Sequence, residues 1–148
     1  MKKNSKKLTV LLLMFTLALS LFTPVMAAET RNQEIVDLGG GFYAVVTLTQ
    51  SPATRAGNTV NGSKSGTVYH NGTQIGTATF MATFDISGAT AKVASKGIDG
   101  TGTNGWQYSR GTTSSSGNKA TGTAYFTDGS IIRSLTLTLT CSPTGVIS

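Results

Sequence analysis

The sequence predicts an all-β fold, an antiparallel β-sandwich or small barrel of about seven short strands. Short segments rich in β-branched and aromatic residues alternate apolar with polar side chains. The chain contains 18 glycines, and dipeptides typical of tight turns separate the segments. No stretch after residue 28 shows helical periodicity. Short strands at this regular spacing are typical of sandwiches and barrels.

The first predicted strand is Phe42–Thr49, which is dense in β-branched and aromatic residues. Gln50–Thr59 contains a proline and a glycine, which indicate a loop. Thr67–His70 and Thr73–Asp85 flank Asn71-Gly72. This dipeptide predicts a hairpin, because both residues tolerate the positive φ of a type I′ turn.

The second half of the chain continues in the same way. The predicted elements are a small-residue strand at Ala89–Ser95, a glycine-rich loop at Lys96–Gly105, a strand at Trp106–Thr112, a turn at Ser114–Asn118, and a final hairpin of Ala120–Thr127 and Ser130–Cys141 around Asp128-Gly129.

The last strand shows the clearest alternation. By the two-residue period, Leu135, Leu137 and Leu139 point one way, and Thr136, Thr138 and Thr140 point the other. Cys141 continues the leucine register and is the only cysteine. We expect it to be a buried small hydrophobe rather than a nucleophile, since an activated thiol needs a histidine or positive neighbour.

The first 27 residues are predicted to be a secretory signal peptide. Lysines at positions 2, 3, 6 and 7 precede the apolar run Leu8–Phe22, and small or apolar residues end at Ala27. The run is shorter than the roughly 20 residues that span a bilayer. We therefore predict a secreted, extracellular protein with no membrane span after cleavage, a polar lead-in at 28–41 and one all-β domain at 42–148.

The charge balance argues against a nucleic-acid partner. Four of the twelve basic residues lie in the predicted leader, which leaves eight basic against six acidic residues. These eight are scattered along the chain, whereas a nucleic-acid footprint needs lysine and arginine gathered on one face.

Candidates for catalysis are few. His70 adjoins a predicted turn, and Asp85, Asp99 and Asp128 each lie singly beside turn residues. A glycosidase needs two carboxylates that face one sugar. No nucleophile elbow, zinc-binding helix or phosphate loop occurs. The sequence thus predicts no catalytic residue, no metal site and no cofactor.

A binding surface is the better prediction. Trp106, Tyr108, Tyr43 and Tyr69 are the candidates for an aromatic platform that stacks on sugar rings. The competing interpretation is that Trp106, as the only tryptophan, belongs to the core. The threonines of the last strand offer a weaker candidate, an array that orders water or ice.

One resemblance rests on residues of the second half. They are Ala82–Asp85 followed by Gly88, Trp106, Asn118–Gly122, and Leu137–Cys141 followed by Gly145 and Ser148. With these motifs, residues 40–148 resemble a family of small secreted proteins of Gram-positive bacteria without assigned activity. The resemblance implies a secreted β-domain and transfers no catalytic residue. Relatives often carry a second cysteine where Ala91–Val93 stand here, so the disulfide that the family implies is absent.

Together these observations predict a secreted, non-catalytic β-domain that acts by binding at or outside the cell envelope. A cell-wall carbohydrate or an extracellular protein is the expected kind of partner. A secreted antimicrobial or toxin-like effector is the alternative, and a secreted hydrolase comes third.

The leader makes a direct prediction about maturation. Cleavage after Ala27 yields an N-terminus at Ala28, and cleavage one residue later yields Glu29. Mass spectrometry of the protein from culture supernatant checks this. Recovery of the chain from the membrane fraction with Met1 retained would contradict secretion.

Overall fold

The computed structural model describes residues 32–50 and 58–148, and the predicted signal peptide lies outside this range. The described residues form eight strands: β1 Asn32–Gly39, β2 Phe42–Gln50, β3 Thr59–His70, β4 Thr73–Asp85, β5 Lys92–Gly102, β6 Gln107–Ser116, β7 Lys119–Thr127 and β8 Ile132–Thr140.

The strands form two antiparallel sheets that pack face to face. One sheet has the order β1-β2-β3-β4-β5 and the other the order β6-β7-β8, so every hydrogen-bonded pair is consecutive in the chain. Buried side chains of both sheets belong to one hydrophobic cluster. The predicted all-β antiparallel sandwich is therefore confirmed, with eight strands rather than about seven.

The core follows from strict alternation along the central strands. In β4 the side chains of Phe80, Ala82 and Phe84 are buried, while the intervening Met81 is exposed. Leu135, Leu137 and Leu139 of β8 are buried in the same way, and Thr136 is exposed. The alternation predicted for the last strand, with its leucines on one face and its threonines on the other, is confirmed.

Glycines on the inner faces allow the two sheets to approach closely. A Cβ atom on Gly122 of β7 would lie 2.9 Å from Cγ of Phe80 in β4. A Cβ on Gly66 of β3 would collide with the side chain of Leu135 in β8. Each large side chain thus fills the space that a glycine leaves in the opposite sheet.

The predicted glycine-rich loop at Lys96–Gly105 is wrong over most of its length. Lys96–Gly102 belongs to β5 and pairs with β4 from Ala82 to Gly76. A Cβ on Gly102 would lie 2.6 Å from the carbonyl carbon of Trp106, so this glycine permits a close backbone approach. Only Thr103–Trp106 forms the turn, with positive φ at Asn104 and Gly105.

Other boundaries differ from the sequence analysis for local reasons. Asn32–Gly39, assigned there to the polar lead-in, forms β1, an edge strand whose side chains are mostly exposed. β3 begins at Thr59 rather than Thr67, and β6 continues to Ser116, so that the turn to β7 is only Gly117-Asn118. β5 starts at Lys92 rather than Ala89. These segments are polar or rich in small residues, so their sequences do not indicate strands. They form strands because they hydrogen-bond to a neighbouring strand.

Both predicted hairpins are confirmed. Asn71 and Gly72 have φ of 49° and 83°, as a type I′ turn requires. At the last hairpin the loop is Asp128–Ile131, and the Asp128 carboxylate accepts hydrogen bonds from the backbone amides of Ser130 and Ile131 at 2.9 and 2.8 Å.

The glycine contacts generate a stability prediction. Gly122→Ala should destabilise the protein by about 1–3 kcal/mol, because the added methyl overlaps the Phe80 ring in a filled core. The matched control is Gly97→Ala in β5, where a Cβ meets no atom within 4 Å and φ is not positive. This control should be neutral or stabilising by up to about 1 kcal/mol. Urea unfolding measures both, and equal effects would contradict the packing described.

Candidate functional site

The outer face of the five-stranded sheet carries a continuous run of polar side chains along its central strand. The inward positions of β3 include the buried residues Val60, Gly62, Gly66 and Val68. The pleat therefore turns the alternate residues outward. From one end of the strand to the other, these outward residues are Asn61, Ser63, Ser65, Thr67 and Tyr69, and we call them the β3 track.

Polar side chains of the neighbouring strand β4 form hydrogen bonds with residues of the β3 track. Ser65 Oγ lies 3.0 Å from Thr79 Oγ1 of β4, within hydrogen-bond distance. Thr83 Oγ1 donates to Asn61 Oδ1 at 2.7 Å. A hydroxyl has one donor and two acceptor sites, and an amide has two of each. These pairings therefore orient the side chains and leave hydrogen-bonding capacity toward solvent.

A depression of about 500 Å³ lies at the Asn61 end of the β3 track. Five of its ten lining residues carry uncharged polar side chains, namely Thr49, Asn61, Ser63, Thr83 and Ser95, and the other five are Gly62, Met81, Ala82, Lys96 and Gly97. Lys96 is the one charged lining residue in the described part of the chain. The Met81 side chain, 57% exposed, supplies an apolar surface among the hydroxyls.

Two of the four predicted aromatic candidates lie on this face. Tyr43 of β2 and Tyr69 of β3 are directly paired, and their rings stack with centroids 5.0 Å apart. Tyr69 is six residues from Ser63, which corresponds to about 20 Å along a strand. The tyrosine pair and the depression therefore lie near opposite ends of the β3 track.

The other two candidates face the core instead. Trp106 is only 9% exposed and packs edge-to-face on Phe42, with ring centroids 5.5 Å apart. Tyr108 is half-buried against Phe126, and burial raises the pKa of its phenol. The four rings therefore do not form one platform. The core position that the sequence analysis weighed for Trp106 is confirmed.

His70 adjoins the Asn71-Gly72 turn, as the sequence predicts, but its side chain packs against other rings. Its ring is half-buried and stacks on Phe42 with centroids 3.9 Å apart and planes 2° from parallel. Arg133 places its guanidinium carbon 4.5 Å from the centroid of the same Phe42 ring. His70 thus takes part in packing at the end of the sandwich that holds the Asn71-Gly72 turn.

The predicted turn carboxylates do not converge with His70. Asp85 pairs opposite Thr59, at the far end of β3 from His70. Asp99 pairs opposite Thr79, which is six residues, or about 20 Å, from Asp85 along β4. Asp128 lies in the β7–β8 loop of the other sheet.

Two of these carboxylates are also held in their ionised form. Hydrogen bonds from the backbone and side chain of Ser87 lower the pKa of Asp85. Amides of Ile131 and Ser130 lower the pKa of Asp128. A general acid that works near neutral pH needs a raised pKa instead.

The threonine row predicted on β8 belongs to a wider hydroxyl surface on the three-stranded sheet. The register aligns two cross-strand rows of three hydroxyl residues, Thr112-Thr123-Thr136 and Ser114-Thr121-Thr138. Within the rows, the hydroxyl oxygens of Thr123 and Thr136 are 3.0 Å apart, and those of Thr121 and Thr138 are 3.3 Å apart. These hydroxyls partly satisfy one another.

Sequence reasoning missed the depression altogether. Its residues come from four strands, and only pairing brings Asn61, Met81 and Ser95 together. The one available signal was Met81, an apolar residue on the outward side of β4, where the alternation predicts polar surface.

The chain has no match among protein-family models, curated proteins or solved structures. The resemblance to secreted proteins of Gram-positive bacteria therefore stays a prediction. Within residues 32–50 and 58–148, no three side chains of His, Cys, Asp or Glu cluster as a metal site. The same residues contain no helix of the length and apolarity needed to cross a membrane.

Cys141 is fully buried, as its register predicted. Its thiol donates to the Ser142 carbonyl at 3.3 Å, and burial raises the pKa of the thiol. Both effects keep sulfur protonated and shielded from reagents.

We expect Cys141 to resist a thiol reagent in the native protein and to react rapidly after denaturation. Cys141→Ser should cost about 1–3 kcal/mol of stability, because a hydroxyl would replace sulfur in an apolar site. Cys141→Ala is the control that keeps the site apolar, and it should cost less than serine. Fast labelling of the native protein would contradict the burial.

Proposed function

We propose that this protein is a secreted binding domain that recognises a neutral polysaccharide of the cell envelope on the outer face of its five-stranded sheet. The observation that carries the proposal is the chemistry of the depression. Side chains of Asn61, Ser63, Thr83 and Ser95 surround the exposed Met81 there.

The depression suits a sugar for two reasons. Sugar hydroxyls both donate and accept hydrogen bonds, and so do the serine, threonine and asparagine side chains of the lining. Apolar C–H groups of a sugar ring need an apolar contact, which the Met81 side chain offers. A few placed polar groups beside an apolar surface are the usual composition of a small-ligand site.

The β3 track favours a polymer over a single sugar. Hydroxyl groups of Ser65 and Thr67 continue from the depression toward the Tyr43–Tyr69 pair. The track is about 20 Å long between Ser63 and Tyr69, enough for several repeating units. A linear chain lying along β3 would contact the polar lining at one end and the aromatic pair at the other.

A binding role also agrees with the position of the titratable groups. His70, Asp85 and Asp99 lie at separate places along the strands. The pairs of acid and base that sugar hydrolysis uses must face one another across the substrate. We therefore place binding ahead of the hydrolase alternative.

The binding proposal is tested by retention on insoluble β-glucan, chitin and purified peptidoglycan. We expect the purified protein to be retained on at least one of them. Met81→Glu should weaken retention by about tenfold or more, because it puts a strongly hydrated carboxylate in the sugar contact. Ile132→Glu on β8 is the matched control, since Ile132 is also an exposed hydrophobic residue (64%) but lies on the other sheet.

Two outcomes would overturn the proposal. One is no retention on any of the three polymers, and the other is equal losses for Met81→Glu and Ile132→Glu. Growth inhibition of neighbouring bacteria without retention would favour the toxin-like alternative, and capture of an extracellular protein would favour a protein partner.

A further inference from the structure

The edges of the two sheets differ in how they are covered. β5 lies against β6, where Tyr108 Oη donates to the Ile98 carbonyl at 3.4 Å. The Val93 amide donates to the Gly117 carbonyl in the β6–β7 turn at 3.2 Å. These two edges therefore protect each other.

The edge of β8 is covered by different groups. Lys64 of β3 donates from Nζ to the Thr138 carbonyl at 3.0 Å. Thr140 and Ser148 exchange two backbone hydrogen bonds of 2.8 and 2.9 Å. Lysine at an edge and a covering segment are two of the devices that prevent a strand from pairing with another molecule.

The edge of β1 has no such cover within the described residues. β1 pairs with β2 on one side, and no backbone hydrogen bond from residues 32–50 or 58–148 reaches its other side. The strand is eight residues long and contains neither lysine nor proline, and it is regularly paired from Asn32 to Asp37, before a bulge between Asp37 and Gly39. Ile35, near its middle, is 74% exposed.

We propose that a second copy of this chain pairs antiparallel with β1 and joins the two five-stranded sheets into one of ten strands. In a symmetric antiparallel pair of strands, the two-fold axis lies between one residue and the same residue of the other copy, because directly opposite residues share a face of the sheet. The register that we infer places the axis at Ile35, so that Ile35 of each copy faces Ile35 of the other.

This register matches the remaining side chains of the outer face. Gln33 lies two residues before Ile35 and Asp37 two residues after it, so Gln33 of one copy is opposite Asp37 of the other. A side-chain amide then meets a carboxylate: Asp37 Oδ1 accepts from the Gly39 amide at 2.8 Å, and Oδ2 remains to accept from Gln33 of the other copy. A shift of two residues would place Ile35 opposite Gln33 or Asp37 and lose both matched pairs.

One pair of charges in this register weakens the association of the two copies. Glu34 is opposite Val36, and the two Glu34 carboxylates lie diagonally across the interface, where like charges repel. Glu34→Gln should therefore strengthen association.

The dimer has a consequence for binding, although its formation does not depend on the polysaccharide proposal. A two-fold axis normal to the sheet leaves both outer faces on the same side. Two β3 tracks would then face one surface, and a repeating polymer would engage both with higher avidity than a single copy.

Cysteine cross-linking tests the register in the purified protein. Ile35→Cys should form a disulfide dimer under mild oxidation, because directly opposite residues have Cα atoms about 4.5–5.5 Å apart. Gln33→Cys alone should not, since its two copies would be four residues, or about 13 Å, apart along the strands. A mixture of Gln33→Cys with Asp37→Cys should cross-link. The native Cys141 is fully buried and does not compete.

A charge swap tests the interface without covalent bonds. Ile35→Lys and Ile35→Glu should each weaken the dimer by about tenfold or more, because like charges would meet on the axis. An equimolar mixture should restore it as a heterodimer. Ile132→Lys is the control at another exposed isoleucine, and it should leave association unchanged.

Sedimentation over a range of concentrations measures these states, and unchanged thermal unfolding shows that the variants fold. We expect the mass of the unmodified protein to double as its concentration rises. We also expect the equimolar mixture of Ile35→Lys and Ile35→Glu to form a dimer again. A monomer at every concentration, or cross-linking of Gln33→Cys as fast as Ile35→Cys, would overturn the proposal.

Discussion

The architecture depends on the close approach of two sheets through glycines on their inner faces. Phe80 packs where Gly122 has no side chain, and Leu135 does the same at Gly66. Because each large residue has one complementary space, the contacts fix how the three-stranded sheet lies over the five-stranded one. The high glycine content is therefore in part a packing feature, beyond its role in turns.

This fixed inner face determines what the outer face can present. Since side chains alternate along a strand, burial of Val60, Gly66 and Val68 leaves the residues between them on the surface. The β3 track is thus supported by a packed sheet and by hydrogen bonds between neighbouring hydroxyls such as Ser65 and Thr79. A site on strands keeps its geometry better than one on loops, which favours recognition of a regular polymer.

Side chains that could serve catalysis or ligand binding, judged by residue type alone, have structural roles in the fold. His70 packs on Phe42, Cys141 lies in the core, and Asp128 holds the β7–β8 loop through backbone amides. Trp106 covers one end of the core rather than standing on the surface. The surface that remains for a partner is built from hydroxyls, amides and a few exposed apolar residues, which suit binding.

The sequence by itself determined the features that depend on local pattern. The all-β class, the positive φ at Asn71-Gly72, the inward leucines of β8 and the burial of Cys141 all follow from two-residue alternation or from turn chemistry. Each of these signals is contained in a few consecutive residues, so no knowledge of distant contacts was needed.

Only the tertiary structure decided the features that depend on pairing. Lys96–Gly102 forms a strand because β4 and β6 lie beside it, although its glycines indicate a loop. The depression exists because Asn61, Met81 and Ser95, which are 20 and 14 residues apart in the chain, meet across three neighbouring strands. Glycine has no side chain whose polarity would indicate a buried strand position, and a surface site formed across several strands leaves no pattern in consecutive residues. The strand at Lys96–Gly102 and the depression can therefore be recognised only when the pairing of the strands is known.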